Sequence, residues 1–264
     1  MGLFDFFGKS REQLKNEAIA VYNLGNQKSV DRKKALELFT KIVEKYDDAD
    51  SMYMIGCIYW NGTQDGLFSV DWKKAYSWFK KAYDKDMNYA GYAMALALYY
   101  GMGVTQNQPK AVKLILKNHP TLFSLEEIKN LSLYYIPAIL GSAYNDGIGV
   151  DRNDVKSRIY TEMGVKLNDP LSYGLMAYLY ASGMNGIEID YDEAYKYAQK
   201  SINTPCSYAN MQSPLAYVIL GSLYEDGLGE LEVDFKKAYK YYEQAAKLGF
   251  EAIRQKMEEL EPYL

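Results

Sequence analysis

The chain has 264 residues, of which 48% are hydrophobic and 24% are charged, with a formal net charge of -4. This composition is typical of a globular protein and excludes a disordered chain. The net charge is negative, and Lys and Glu are interspersed along the predicted helices. The sequence therefore predicts no basic patch that would bind nucleic acid. We therefore expect no nucleic-acid partner.

The two cysteines, Cys57 and Cys206, are too few for a disulfide framework, and neither lies in a C-x-x-C pair or beside histidine. We therefore expect a reduced, cytoplasmic location and no metal site. No window approaches 18 uninterrupted apolar residues, so we expect no integral membrane segment.

The N-terminal segment, residues 1–10, is apolar, with large side chains at Leu3, Phe4, Phe6 and Phe7. We expect it to dock on the first repeat, the alternative being contact with a membrane or a partner. Ser10 and Gln13 form a capping box, which predicts a helix from about Arg11.

From there a marker recurs six times: an apolar residue or Gln, a helix N-cap, and a small residue or Val four positions after the cap. The instances are Val30-Asp31-Ala35, Val70-Asp71-Ala75, Gln106-Asn107-Ala111, Val150-Asp151-Val155, Ile189-Asp190-Ala194 and Val233-Asp234-Ala238. Asp and Asn are good N-cap residues, so each marker predicts the start of a second helix. The spacing of 36 to 44 residues is in the range of solenoid repeats.

Five of the six helices that precede these markers carry a small residue, an aromatic or large apolar residue three positions later, and glycine three after that, whereas the first unit has Ile19 at the small position. Gly221-Tyr224-Gly227 is the clearest example. Glycine inside a helix costs about 1 kcal/mol relative to alanine. Gly221 therefore predicts a partner helix that crosses too close for a side chain.

We predict that residues 11–264 form a single repeat domain. The markers divide it into repeats that cover approximately 11–48, 49–88, 89–120, 134–169, 170–204 and 213–249. An insert at 121–133 contains a second capping box, from Ser124 to Glu127, which predicts an extra short helix. A capping helix covers 250–264, and its Glu-rich end is typical of a polar cap.

Two segments carry a family resemblance: LGSAYNDGIGVDRNDV at 140–155, and LGSLYEDGLG at 220–229 followed by Asp234 and Lys237-Ala238. They resemble the Sel-one-like repeat, a relative of the tetratricopeptide repeat, over roughly residues 11–260. The fourth unit departs from the pattern, with Arg158 and Ile159 where second-helix aromatics are expected. The resemblance implies an all-α, right-handed α-α superhelix of about six helix-turn-helix repeats, whose first helices line the concave side. It also implies a scaffold or adaptor that holds peptides or proteins.

The residues offer little for catalysis. The single histidine, His119, precedes a proline in a linker, and no nucleophile and base are paired. Acidic pairs such as Asp47-Asp48 lie at predicted helix ends, where capping explains them better than acid–base chemistry. We expect no enzyme activity and no cofactor.

The 27 tyrosines exceed what six small cores require, so some should face a partner. Counting around the first helices gives candidate concave contacts at Tyr53, Cys57, Trp60, Asn61, Tyr92, Tyr99, Ser142, Asn145, Tyr178, Ser222 and Glu225. The alternative is that several of them close the seams between repeats.

We therefore expect a non-enzymatic scaffold that binds a peptide or protein segment on the concave face, with Trp and Tyr anchors. The other hypothesis is a dedicated regulatory, inhibitory or immunity-type partner, which grips one folded protein through the 203–214 loop and an acidic edge. The oligomeric state does not follow from the sequence.

Overall fold

A computed structural model describes residues 9–24, 29–63, 68–206 and 212–264. Every regular element in these ranges is helical, which confirms the all-α prediction. The helices are α1 (Arg11–Leu24), α2 (Ser29–Tyr46), α3 (Ala49–Asn61), α4 (Trp72–Tyr83), α5 (Asn88–Tyr100), α6 (Gln108–Asn118), α7 (Leu125–Asn130), α8 (Ile136–Asp146), α9 (Asp154–Lys166), α10 (Pro170–Ser182), α11 (Tyr191–Asn203), α12 (Pro214–Asp226), α13 (Phe235–Lys247) and α14 (Arg254–Leu260).

The chain forms two compact units, Met1–Thr121 and Leu122–Leu264. In the first unit α1–α2, α3–α4 and α5–α6 are hairpins, and each hairpin packs on the next through α2 with α3 and α4 with α5. The second unit stacks the hairpins α8–α9, α10–α11 and α12–α13, with α14 on α13. The predicted single domain and its repeat boundaries stay predictions.

Most second helices begin where the marker predicts. The side chains of Asp71, Asn107, Asp190 and Asp234 each accept a hydrogen bond from the backbone N–H three residues later, at 2.9 Å. Their own N–H groups donate to carbonyls near the end of the preceding helix, as from Asp234 to Tyr224 O at 2.8 Å. Each N-cap residue therefore closes its hairpin as well as starting a helix.

The predicted N-cap of the fourth unit is wrong. The cap of α9 is Asn153, which accepts from the Lys156 N–H at 2.9 Å and donates to Tyr144 O at 2.9 Å. Asp151 follows the helix-ending Gly147 by only four residues, too few to carry the chain into α9, whereas Asp234 follows its own helix-ending glycine by seven.

With this register the small residue four positions after the cap is Ser157, which is fully buried, and Val155 is 68% exposed. The predicted lack of a second-helix aromatic is also wrong. Tyr160 is buried and stacks on Tyr144, with 6.0 Å between the ring centroids.

The first marker is shifted as well. Helix α2 begins at Ser29, so Asp31 lies in its first turn and is not its N-cap. Ala35 is nevertheless buried, because it keeps its place on the apolar face of the helix.

The close approach predicted at Gly221 is confirmed. A Cβ atom there would lie well inside van der Waals distance of the Tyr242 ring on α13. At Gly56 a Cβ would overlap the ring of Phe79 on α4 in the same way. The glycines therefore admit large aromatic side chains from the second helices.

Both predicted capping boxes are present. Ser10 and Gln13 exchange hydrogen bonds of 2.8 and 3.2 Å at the start of α1, and Ser124 and Glu127 do the same at α7. The capping helix is shorter than predicted, because Glu251–Ile253 is a 3-10 turn ahead of α14 and Glu261–Tyr263 is another after it. The apolar residues 3–7 of the N-terminal segment lie outside the described residues.

Candidate protein-binding surfaces

Three predicted contact residues lie together on α3. Tyr53, Cys57 and Trp60 are four and three residues apart and therefore share a face of the helix. All three are partly exposed. They pack beside Phe79, which is 2% exposed and belongs to the core between α3, α4 and α5.

The rings around this position form a connected row that we call the aromatic strip: Tyr53, Trp60, Trp72, Phe79 and Tyr89. Neighbouring centroids are 6.4 Å apart for Trp72 and Trp60, 5.9 Å for Trp60 and Phe79, and 5.4 Å for Phe79 and Tyr53. Tyr89 meets Tyr53 edge-on at 5.3 Å. Because Phe79 is buried beneath them, the outer rings are held in place and part of each remains accessible.

The thiol of Cys57 is not suited to nucleophilic chemistry. Burial raises its pKa to about 12, and the hydrogen bond of Tyr53 and the charge of Arg32 offset this only in part. Since the thiolate is the reactive form, Cys57 acts as a small apolar residue at neutral pH.

The other candidates in the first unit are placed differently. Tyr92 and Tyr99 are each 5% exposed, which favours the alternative that they close seams between repeats. Asn61 is exposed at the end of α3, where its amide donates to the Tyr22 hydroxyl at 3.4 Å. Asn61 therefore directly follows Trp60 of the aromatic strip and has an exposed side chain.

In the second unit, Asn145 is 5% exposed and serves internal packing. It accepts a hydrogen bond of 3.0 Å from Asn185, forty residues away, and donates to Asp146 at 2.7 Å. Asn185 also donates to the buried Ser157 hydroxyl at 2.9 Å. This polar network ties α8, α9 and the loop after α10 together.

Glu225 is likewise engaged within the last hairpin. It accepts from the Tyr242 hydroxyl at 2.7 Å and forms an ion pair of 2.8 Å with Lys256 of α14. Burial, followed by the hydrogen bond and negative charge of Glu225, raises the pKa of Tyr242 well above its usual range.

The three remaining candidates, Ser142, Tyr178 and Ser222, are partly exposed on separate first helices. The Tyr178 hydroxyl points to Met184 Sδ at 3.1 Å. The structure therefore brings Tyr53, Cys57 and Trp60 together, whereas the candidates of the second unit are spread over three hairpins.

Trp72, which is 41% exposed beside Trp60, is not among the predicted contact residues. Those candidates lie on first helices, whereas Trp72 is the first residue of a second helix. A large aromatic directly after the N-cap Asp71 was the available signal, because the first turn of a helix reaches back toward its hairpin partner.

The described residues contain no group of three or more His, Cys, Asp or Glu that could hold a metal ion. The predicted capping role of Asp48 is confirmed, since it accepts hydrogen bonds of 2.8 and 2.7 Å from Ser51. Burial works to raise the pKa of Asp48, but these bonds and the charges of Lys15 and Arg11 outweigh it and lower the pKa. Within the described ranges, no helix has both the length and the apolar character needed to span a membrane.

Stacked hairpins with recurring caps define a helical-repeat protein. The chain belongs to the Sel1 repeat family, whose model matches residues 18–47, 49–87, 89–117, 138–169, 170–203 and 214–250. A comparison with curated proteins finds no match.

Solved structures of the same family are similar to the chain. A Sel1 repeat protein from Oxalobacter formigenes is 22% identical, with a TM-score of 0.52 over 89% of this chain and 84% of that one. The protective antigen c5321 of uropathogenic Escherichia coli, which has an SLR fold, is also 22% identical, with a TM-score of 0.43 over 92% of this chain and 57% of that one. The first of these likenesses supports the fold alone.

Proposed function

We propose that this protein is a non-enzymatic scaffold that binds a peptide or protein segment along its first helices, with the aromatic strip as the anchor. The observation that carries the proposal is the row of partly exposed rings fixed over Phe79. Trp and Tyr dominate binding energy at protein interfaces because they bury a large area with few rotatable bonds. Sel1 repeats, like their tetratricopeptide relatives, are typical of interaction scaffolds.

In this proposal two rings of the strip and the neighbouring Asn61 contact the bound segment directly. Trp60 and Tyr53 receive apolar side chains of the bound segment, and Asn61 hydrogen-bonds to its backbone. The rings are already packed against the core, so binding costs little conformational entropy on the scaffold side. The two free cysteines, Cys57 and Cys206, support a cytoplasmic site of action.

Selection from a displayed library of 12-residue peptides tests the proposal. The selected peptides are titrated calorimetrically against the wild-type chain, Trp60→Ala and the matched control Tyr134→Ala, whose ring is 36% exposed in the second unit. We expect Trp60→Ala to weaken binding by about 2 kcal/mol, and the control to change it by less than about 0.5 kcal/mol.

Equal affinity for wild type and Trp60→Ala would remove the strip from the proposal. Failure to select any peptide would favour the regulatory or inhibitory partner, gripped through the 203–214 loop. Residues 207–211 of that loop lie outside the described residues. A thermal melt of each variant separates lost binding from lost folding.

A further inference from the structure

The charges of the two units differ in sign. Met1–Thr121 contains 17 Lys and Arg against 13 Asp and Glu, whereas Leu122–Leu264 contains 13 against 21. The positive excess of the first unit is concentrated on two second helices. Helices α4 and α6 carry seven lysines and no carboxylate, so the expected interspersion of Lys and Glu fails there.

All seven of these lysines are exposed, and we call them the basic face: Lys73, Lys74, Lys80, Lys81, Lys110, Lys113 and Lys117. The two helices are neighbours at their C-terminal ends. The Tyr83 hydroxyl of α4 donates to Asn118 Oδ1 of α6 at 3.4 Å, and Lys117 Nζ lies 5.6 Å from the centroid of the Tyr83 ring.

The helix dipole does not favour the three lysines that lie at the starts of α4 and α6. Cations stabilise the last turn of a helix and oppose the dipole in the first turn. Lys73 and Lys74 nevertheless lie in the first turn of α4, and Lys110 lies in the first turn of α6. In the second unit, α11 has Asp192 and Glu193 in its first turn, as the dipole favours, whereas α13 has Lys236 and Lys237 there. What distinguishes α4 and α6 is that neither helix carries any carboxylate, while α13 carries Glu243.

Internal ion pairs use only part of the positive charge. Lys74 pairs with Asp71 at 3.2 Å, and Lys80 pairs with Asp84 at 2.6 Å. Among the described residues, no carboxylate lies within ion-pair distance of Lys73, Lys110 or Lys113. The basic face is therefore left to attract an external anion.

We infer that the basic face is a second docking surface, which binds an acidic segment of a partner protein. Its lysines lie on the second helices α4 and α6, and on α4 they flank Trp72 and Phe79 of the aromatic strip. Charge complementarity sets both the partner and the rate of association, because opposite charges steer the encounter.

The surroundings of the lysines favour a protein over the other polyanions. Stacking of nucleic-acid bases requires open aromatic faces. Lys81 Nζ instead covers Trp78 at 3.9 Å from the ring centroid, and Lys117 covers Tyr83. Insertion into a membrane requires exposed apolar side chains. In α4, α5 and α6 the large apolar residue that is exposed is Trp72, which belongs to the aromatic strip.

Fluorescence anisotropy with a labelled 12-residue Asp/Glu-rich peptide tests the inference. Its neutral Asn/Gln counterpart, a 12-nucleotide poly(U) RNA and phosphatidylserine vesicles are the comparison probes. The test variant combines Lys73→Gln, Lys81→Gln, Lys110→Gln and Lys113→Gln. The matched control makes the same charge change in the second unit, with Lys129→Gln, Lys166→Gln, Lys236→Gln and Lys240→Gln.

We expect the wild type to bind the acidic peptide and not the neutral one at 50 mM NaCl, with affinity that falls at 300 mM. The test variant should lose about tenfold in affinity and the control less than about twofold. The inference is overturned if the acidic peptide does not bind, if both variants lose equally, or if RNA or vesicles bind more tightly. All substituted lysines are exposed, and a melting curve checks that each variant folds.

Discussion

Gly221 and Tyr242 form a complementary pair in which one residue has no side chain and the other fills the space. The ring of Tyr242 is 1% exposed and lies where a Cβ of residue 221 would be. Alanine is favoured over glycine in an isolated helix by about 1 kcal/mol. Overpacking a filled core costs about 1–3 kcal/mol, and the contact here is with a ring that has little room to move.

We therefore predict that Gly221→Ala lowers the free energy of unfolding by about 1–2 kcal/mol, because the overlap with Tyr242 outweighs the gain in helix propensity. Urea denaturation measures the change. In a Tyr242→Ala background the same substitution should be neutral or stabilising, since the ring is gone. Additive effects of the two substitutions would contradict the proposed contact.

At the level of an element, Asp151 and Asn153 both precede α9 and both have side chains that can cap a helix, but Asn153 is the residue that caps it. Asn153→Ala removes the acceptor for the Lys156 N–H and should cost about 1 kcal/mol. Asp151→Ala alters an exposed loop residue and should change the free energy of unfolding by less than about 0.5 kcal/mol. Urea midpoints of the two variants measure the difference, and a larger loss for Asp151→Ala would restore the register predicted from the sequence.

The sequence was sufficient for those elements whose signals are local. N-caps such as Asp234 and the capping box at Ser124 depend on residues within one turn, and they were predicted correctly. The prediction that Asp151 is the N-cap of α9 is wrong, because the length of the loop that leads to α9 is set by the hairpin as a whole. Helix counting placed Tyr53, Cys57 and Trp60 on one face, which the structure also has.

Accessibility could not be predicted in the same way, because it depends on contacts between distant residues. Asn145 has the helical position of a ligand contact, yet its amide is occupied by Asn185, forty residues further on. Glu225 is engaged by Tyr242 and by Lys256 from two different helices. No local pattern in the sequence reports such partners.

For the whole molecule, the outer face of a terminal hairpin needs a cover, because a helical repeat buries its apolar surface only against a neighbour. Helix α13 contributes Phe235, Tyr239 and Ala246 to the cluster that it shares with the C-terminal residues, and the Phe235 ring centroid lies 5.0 Å from that of Tyr263. Residues 250–264 provide that cover, with Ile253 and Leu260 packed in the same cluster. The cap thus does for α12–α13 what a following repeat does for the other hairpins of the second unit.

We predict that ending the chain after Gly249 lowers the free energy of unfolding by about 5 kcal/mol, since several apolar side chains lose their burial. The exposed face of α13 should also promote self-association, which light scattering detects. Lys256→Gln is the matched control, because it breaks only the partly exposed ion pair with Glu225 and should cost less than about 1 kcal/mol. A truncated chain that melts at the wild-type temperature and does not self-associate would show that α13 needs no cover. If the truncated chain and Lys256→Gln lost the same free energy of unfolding, the effect would be assigned to the ion pair.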